Sequence, residues 1–268
     1  MALVISKFTT FSGSLSLPVR TEHPTAISVS PRKIACILTL VVGCLCLASL
    51  AGQFSKYFLG HDQVLGLVLM FDLGEEANMP TWYSSAILLF AAFLLSLIAG
   101  VKKREGDRYF PQWALLSVIF LYLSVDETAQ IHEFISDVLH NTFHTKGLLF
   151  YTWVIPYGML TIAIALSYLR FVFSLPAKTR NQFIIAGILY VGGALGMDFI
   201  EGRYAEFFGD QNMTMALLAT VEESWEMMGV IIFSYALMSY LSSHTKGIAF
   251  QIGSREAEPV ETNTMPAA

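Results

Sequence analysis

The chain has little charge. Asp, Glu, Lys and Arg make up 14% of its 268 residues and apolar types 54%, whereas a soluble domain is about 25% charged. That shortage excludes an ordinary water-soluble domain and points to a membrane protein. Cysteine is scarce too: Cys36, Cys44 and Cys46 all sit in the first apolar run. A disulfide framework is excluded, and no C-x-x-C pair offers a thiolate metal site. No basic stripe suits nucleic acid, and no G-x-x-x-x-G-K-[ST] or G-x-G-x-x-G loop suits a nucleotide. H-E-x-x-H is missing, because His132-Glu133 lacks a second histidine. Also missing are the histidine boxes of membrane desaturases, the histidine pairs of membrane ceramidase-like hydrolases, and the lysine that a retinal pigment needs in its last span.

What the chain has in quantity is long apolar sequence. Six stretches approach the roughly 20 residues that cross a hydrocarbon core, near 34–54, 83–101, 112–137, 149–172, 182–201 and 214–242. The expected fold class is all-α, a polytopic bundle of about six transmembrane helices. With the N-terminus inside, only Lys56, Lys146 and Arg203 of the 16 Lys and Arg fall in outer loops. The positive-inside rule therefore puts both termini in the cytoplasm, with a bacterial inner membrane as the expected location. Residues 1–33 read as a flexible cytoplasmic segment, 34–242 as the membrane domain, and 243–268 as a disordered polar tail. The first span reads as uncleaved, because the chain stays apolar past Cys44, where a lipoprotein turns polar. Cleavage after Ala51 and an organelle transit peptide are alternatives for this end. Gly192, Gly193 and Gly196 in the fifth span allow a neighbouring helix to come close. Trp82, Tyr83, Trp113, Trp153 and Tyr157 lie near span ends, where interfacial anchoring is the usual role.

The acids are where they are expensive. Residues 124–133 read SVDETAQIHE, and a bare charge at mid-membrane costs roughly 2.5–3.5 kcal/mol on insertion scales. The alternating directions of the spans place Asp126, Glu127, Glu133, Asp198, Glu201, Glu222, Glu223 and Glu226 in one outer layer, with Arg203 as the only nearby base. On a continuous helix Asp126, Gln130 and Glu133 share one face, as do Glu222 and Glu226. Buried ion pairs cannot neutralise such a set. The layer then takes up protons, binds metal, or accepts a cationic substrate. Asp126, Glu133, Glu222, Glu226 and His132 are the candidate metal ligands, with Glu223 and His132 as candidate acid/base groups. Glu127, Gln130, Asp198, Glu201, Ser84 and Ser85 are candidates for the surrounding shell. Each also has a plainer reading. Glu127, Asp198 and Glu201 can be hydrated at the interface, His132 can be a packing residue, and Ser84 and Ser85 can be helix-packing residues. His140 and His144 fit a wet outer loop.

The runs NMPTWYSSAILL, LYLSVDETAQIHE and VEESWEMMGVIIFSYAL resemble a group of uncharacterised bacterial multipass membrane proteins. Those carry N-x-P-T-W-[FY]-S-S, L-S-x-D-E-x-x-x-I-H-E and E-E-x-x-E-M-x-G in that order. The resemblance covers about residues 70–242; it implies a multipass fold and supplies no activity.

Three functions suit these residues. The first is a metal-dependent enzyme acting on a lipid or another amphiphile, since carboxylates with one imidazole suit a hard or borderline divalent cation. The Glu-x-x-His pairs of di-iron bundles are missing. The second is a proton- or cation-coupled transporter. Against it, the acids do not continue through the inner half, and their places in the third and sixth spans do not match an inverted repeat. The third is a non-catalytic membrane subunit or sensor. The bilayer is the expected partner, with a lipid or small cation as substrate; an oligomer is compatible with six spans, and nucleic acid is not expected. The outer loop 55–80, HDQVLGLVLMFDLGEEAN at its centre, reads as a partner surface or a lid over the acids, half-inserted rather than a seventh span.

Overall fold

The structure is a computed structural model, and it describes residues 30–143, 147 and 150–244. Most of the predicted flexible segment and disordered tail, together with His144, lie outside the described residues. All regular structure among the described residues is helical, with no strand: α1 (Pro31–Phe58), α2 (Leu67–Met70), α3 (Met79–Arg104), α4 (Phe110–Ala129), α5 (Ile131–Phe143), α6 (Val154–Ser174), α7 (Ala177–Val191), α8 (Asp198–Phe208) and α9 (Met213–His244). Proline at the first turn starts α1, α3 and α4, where its missing N–H costs nothing.

Among the described residues four helical segments are long and apolar enough to cross a membrane: Pro31–Phe58, Met79–Arg104, Val154–Ser174 and Ala177–Phe208. The bent pair Phe110–Ala129 and Ile131–Leu139 makes a fifth if taken as one span. A membrane location follows from these helices. The remaining predicted segment, α9, falls outside that set. It has 32 residues, so it is about 48 Å long. It carries Glu222, Glu223 and Glu226, and α1, α3 and α7 wrap it. The side of a helix that packs on protein does not need an apolar surface, and the side of α9 left exposed near the acids carries Leu217, Val221 and Trp225.

The third predicted span is not one helix. It turns by 70° between α4 and α5. Gln130 sits at the corner in the left-handed region (φ 54°, ψ 40°) and donates its N–H to the Asp126 carbonyl. The Asp126 carboxylate then accepts the His132 amide at 3.0 Å, capping the new helix. A face shared by Asp126, Gln130 and Glu133 therefore does not exist. A second irregularity lies between α7 and α8, where Gly192–Met197 forms a π-helical turn, a feature frequent at functional sites.

Close approach fixes α7 against α9. A Cβ on Gly193 would lie 2.7 Å from Glu226 Cγ, and one on Gly229 would lie 2.8 Å from the Tyr190 amide nitrogen. Of the three expected small residues, Gly192 meets Trp225 and Gly196 faces open space. Away from the acids the bundle is apolar. Leu88, Leu95 and Ile98 of α3 and Met227, Val230 and Leu237 of α9 are all under 2% exposed. Trp113 is not an interfacial anchor: it is buried in a ring of Phe171, Phe183 and Tyr240.

A carboxylate cavity and candidate metal centre

One cavity of about 330 Å³ opens at the end of the bundle where α4 turns into α5. Its wall carries Glu76, Asp126, Glu127, Glu133, Asp137, Asp198, Glu201, Glu222, Glu223 and Glu226, with His132 as the single basic side chain among the described residues. Among the described residues no Lys or Arg lines it. Arg203, the one base that the sequence places nearby, instead pairs with Glu206 at 3.1 Å on the exposed side of α8.

Glu76 comes from the loop before α3. Its position follows from the start of that helix. The Asn78 side chain accepts from the Thr81 amide as an N-cap. Its amide group donates to the Asp72 carbonyl at 2.6 Å and the Glu75 carbonyl at 2.8 Å. One residue thus closes the loop and caps the helix. Upstream, Ser49 of α1 accepts the Leu73 amide, and Val68 of α2 packs on Gly52. The 55–80 segment is therefore a short 3₁₀ turn and one helical turn folded back onto α1, and it delivers an acid to the cavity.

The chain bend places His132 opposite this loop. Its Nδ1 lies 3.3 Å from Asp126 Oδ2, and its Nε2 lies 3.4 Å from Glu76 Oε1. Tyr157 donates to Asp126 Oδ1 at 3.4 Å and meets Tyr122 at 2.6 Å. The imidazole lies against Trp153, with ring centres 5.0 Å apart and planes tilted by 56°. Glu76, His132 and Glu133 each offer a ligand atom, and these atoms lie within 4.8 Å of one another.

A second group sits on the opposite wall. Asp198 and Glu201, one turn apart after the π-helical segment, face Glu222 of α9, and their ligand atoms also lie within 4.8 Å of one another. Asp198 and Glu201 are 7% and 4% exposed. Asp198 Oδ2 and Glu201 Oε1 have no hydrogen-bond partner. Glu223 of α9 lines the same cavity as both groups. Beside the second group, in the loop before α6, burial and the charges of Glu201, Asp198 and Glu222 raise the Tyr151 phenol above its ordinary pKa, keeping it an O–H donor.

The residues singled out from sequence divide as follows. Asp126, Glu127, His132, Glu133, Asp198, Glu201, Glu222, Glu223 and Glu226 all line the cavity. The geometry does not gather Asp126, Glu133, Glu222, Glu226 and His132 as one ligand set. It makes two groups, in which Glu76, Asp198 and Glu201 are potential ligands. Asp126 stands behind His132 and orients it. Gln130 is the corner residue. Ser84 is buried beside Glu127. Ser85 is a packing residue: it donates to the Ser124 carbonyl at 2.7 Å, and Ser124 donates back to the Ser85 carbonyl at 2.9 Å. Sequence reasoning missed Glu76, Asp137 and Tyr190 as site residues and gave Tyr157 the role of an interfacial anchor. Glu76 had a readable signal, because it lies two residues before the N-cap of the helix that carries Ser84 and Ser85.

A family model described as a domain of unknown function (DUF8692) matches residues 33–241, the whole helical bundle. The chain belongs to that family. No curated protein and no solved structure matches it. Membership thus agrees with the resemblance read from the three ordered motifs, whose acids and histidine are the ones that meet in the cavity.

Proposed function

We propose that the protein is a multipass membrane enzyme of the bacterial inner membrane whose cavity, in the outer half of the bundle, holds a divalent metal and acts on a lipid or another amphiphile. The observation that carries this reading is the grouping of Glu76, His132 and Glu133 within 4.8 Å, with Asp126 behind the imidazole. A carboxylate that accepts the N–H of one ring nitrogen fixes the tautomer and leaves the other nitrogen free to ligate. Two carboxylates and one imidazole suit a borderline cation such as Zn²⁺, Mn²⁺ or Fe²⁺. When bound, such an ion polarises an ester or phosphoryl oxygen and lowers the pKa of water. The chain's own contribution is the rest. Asp126 and Tyr157 orient His132, Glu223 reaches the space between the two groups as the candidate general base, and Trp153 and Tyr157 shield one side from bulk water.

In this reading α9 counts as the sixth span, since its roughly 48 Å length exceeds the hydrocarbon thickness. Both termini are cytoplasmic on the distribution of Lys and Arg. The apolar filling of α3 and α9 beyond the acids supports a closed site rather than a conduction path.

Elemental analysis of the purified protein, with His132→Ala beside it, tests the reading. The expected result is bound metal that the variant loses, together with turnover of added lipids by wild type alone. A metal-free protein that passes protons or cations into liposomes would overturn it in favour of transport. A metal-free protein without flux would leave an accessory subunit.

A further inference from the structure

We infer that Asp198, Glu201 and Glu222 form a second cation site, separate from the His132 group, that takes a hard divalent ion such as Ca²⁺ or Mn²⁺. The inference goes beyond the proposed function, because it needs no occupant at His132. Its first support is geometric: three carboxylates from two elements offer ligand atoms within 4.8 Å of one another. The approach is built into the backbone. Gly193 leaves room for the Glu226 side chain and brings the π-helical turn within 2.9 Å of the Glu222 carbonyl, measured from where its own Cβ would be.

The second support is independent of the clustering. Asp198 Oδ2 and Glu201 Oε1 are buried at the cavity wall with no hydrogen-bond partner among the described residues, although the Trp153 indole N–H lies close enough to interact with the Asp198 carboxylate. Leaving a buried polar atom unmatched costs about 1–3 kcal/mol, and more for a charged group. A proton shared between Glu201 and Glu222, whose carboxyl groups are in hydrogen-bond contact, joins those two groups and leaves Asp198 Oδ2 unmatched. Arg203, on the same helix as Asp198 and Glu201, is committed to Glu206. An ion at the centre of the three carboxylates satisfies them together.

The ligand chemistry selects the ion. This group has no imidazole and no thiolate, and all-oxygen sites favour Ca²⁺, Mg²⁺ and Mn²⁺, whereas the imidazole of the other group favours Zn²⁺ or Fe²⁺. The charge balance agrees, since one divalent ion at His132 offsets two charges on a wall with ten carboxyl groups.

The full chain, chelator-stripped in nanodiscs, is titrated with Mn²⁺ and Zn²⁺ and its bound metal counted. Tb³⁺, a probe of oxygen sites, is followed in parallel by emission sensitised through Trp153, which contacts Asp198. The expected result is one Zn²⁺ and one Mn²⁺ held together, with Mn²⁺ and Tb³⁺ weakened at least about tenfold by Glu201→Gln or Glu222→Gln. Zn²⁺ is retained in those variants, and His132→Ala shows the reverse. Glu222 is on a different helix from Glu201, so the two variants do not share a folding defect, and Ca²⁺ displacement of Tb³⁺ needs no variant at all. Wild type that binds Zn²⁺ alone would overturn the inference and leave the His132 centre standing. Mn²⁺ alone, lost in Glu201→Gln and kept in His132→Ala, would sink the His132 centre and leave this site. Loss of both ions in His132→Ala would mean one shared site and overturn the inference, as would binding of neither.

Discussion

Asp126 holds His132 at two points: its Oδ2 lies 3.3 Å from the ring Nδ1, and its Oδ1 accepts the backbone N–H of the same residue at 3.0 Å. One carboxylate therefore sets both where α5 begins and which way the imidazole turns. Replacing Asp126 by Asn keeps one acceptor and turns the other into a donor. The expected outcome is a 10- to 100-fold loss of metal affinity, the usual range for such a supporting group. Metal titration of the purified variant checks it, with Tyr157→Phe as a milder companion at the same carboxylate.

The corner at Gln130 gives a prediction with a definite sign. Glycine in a helix interior destabilises by roughly 0.5–1 kcal/mol, whereas in the left-handed region it relieves strain. Gln130 has φ 54°, so Gln130→Gly is expected to preserve or raise the unfolding temperature, and Gln130→Val to lower it. A drop for the glycine variant would restore the continuous helix over 112–137.

Gly193 and Gly196 should separate cleanly. Alanine at 193 would press a methyl group 2.7 Å from Glu226 Cγ, but at 196 it meets nothing within 4 Å. Overpacking costs about 1–3 kcal/mol. Gly193→Ala is therefore expected to lower thermal stability and weaken cation binding, and Gly196→Ala to change neither. Thermal unfolding in detergent and metal counting read both.

Ser85 tests packing against chemistry. Its reciprocal hydrogen bonds with Ser124 are between helices, where such bonds average about 0.6 kcal/mol. Ser85→Ala should cost stability of that order and leave metal content and any lipid turnover intact. Loss of metal in this variant would assign the serine to the site.

Removing metal should destabilise the protein, because a ligand present at 100 times its Kd contributes about 2.7 kcal/mol. The ligands must be deprotonated to bind, so affinity falls as pH falls and the chelator-induced drop in unfolding temperature should shrink toward acidic pH. A drop that does not depend on metal or pH would argue against metal binding in the cavity.

The sequence by itself determined that the chain is helical and belongs in a membrane, because apolar runs long enough to span leave the backbone no better way to satisfy its hydrogen bonds. It also placed the carboxylates at one level, since helical rise converts position along the chain into depth. Tertiary structure decided how they combine. The Asp126 carboxylate competes for the His132 amide and breaks the third span, and no local pattern of apolar residues records that competition. The Asn78 cap draws Glu76 in from a loop, and Gly193 lets α9 bring Glu222 to Asp198 and Glu201. Arg203 turns outward to Glu206, leaving His132 as the one basic side chain among the described residues that line the cavity. Depth is a local property of a helix; which groups meet across a cavity depends on bends and close approaches that form only when the helices pack.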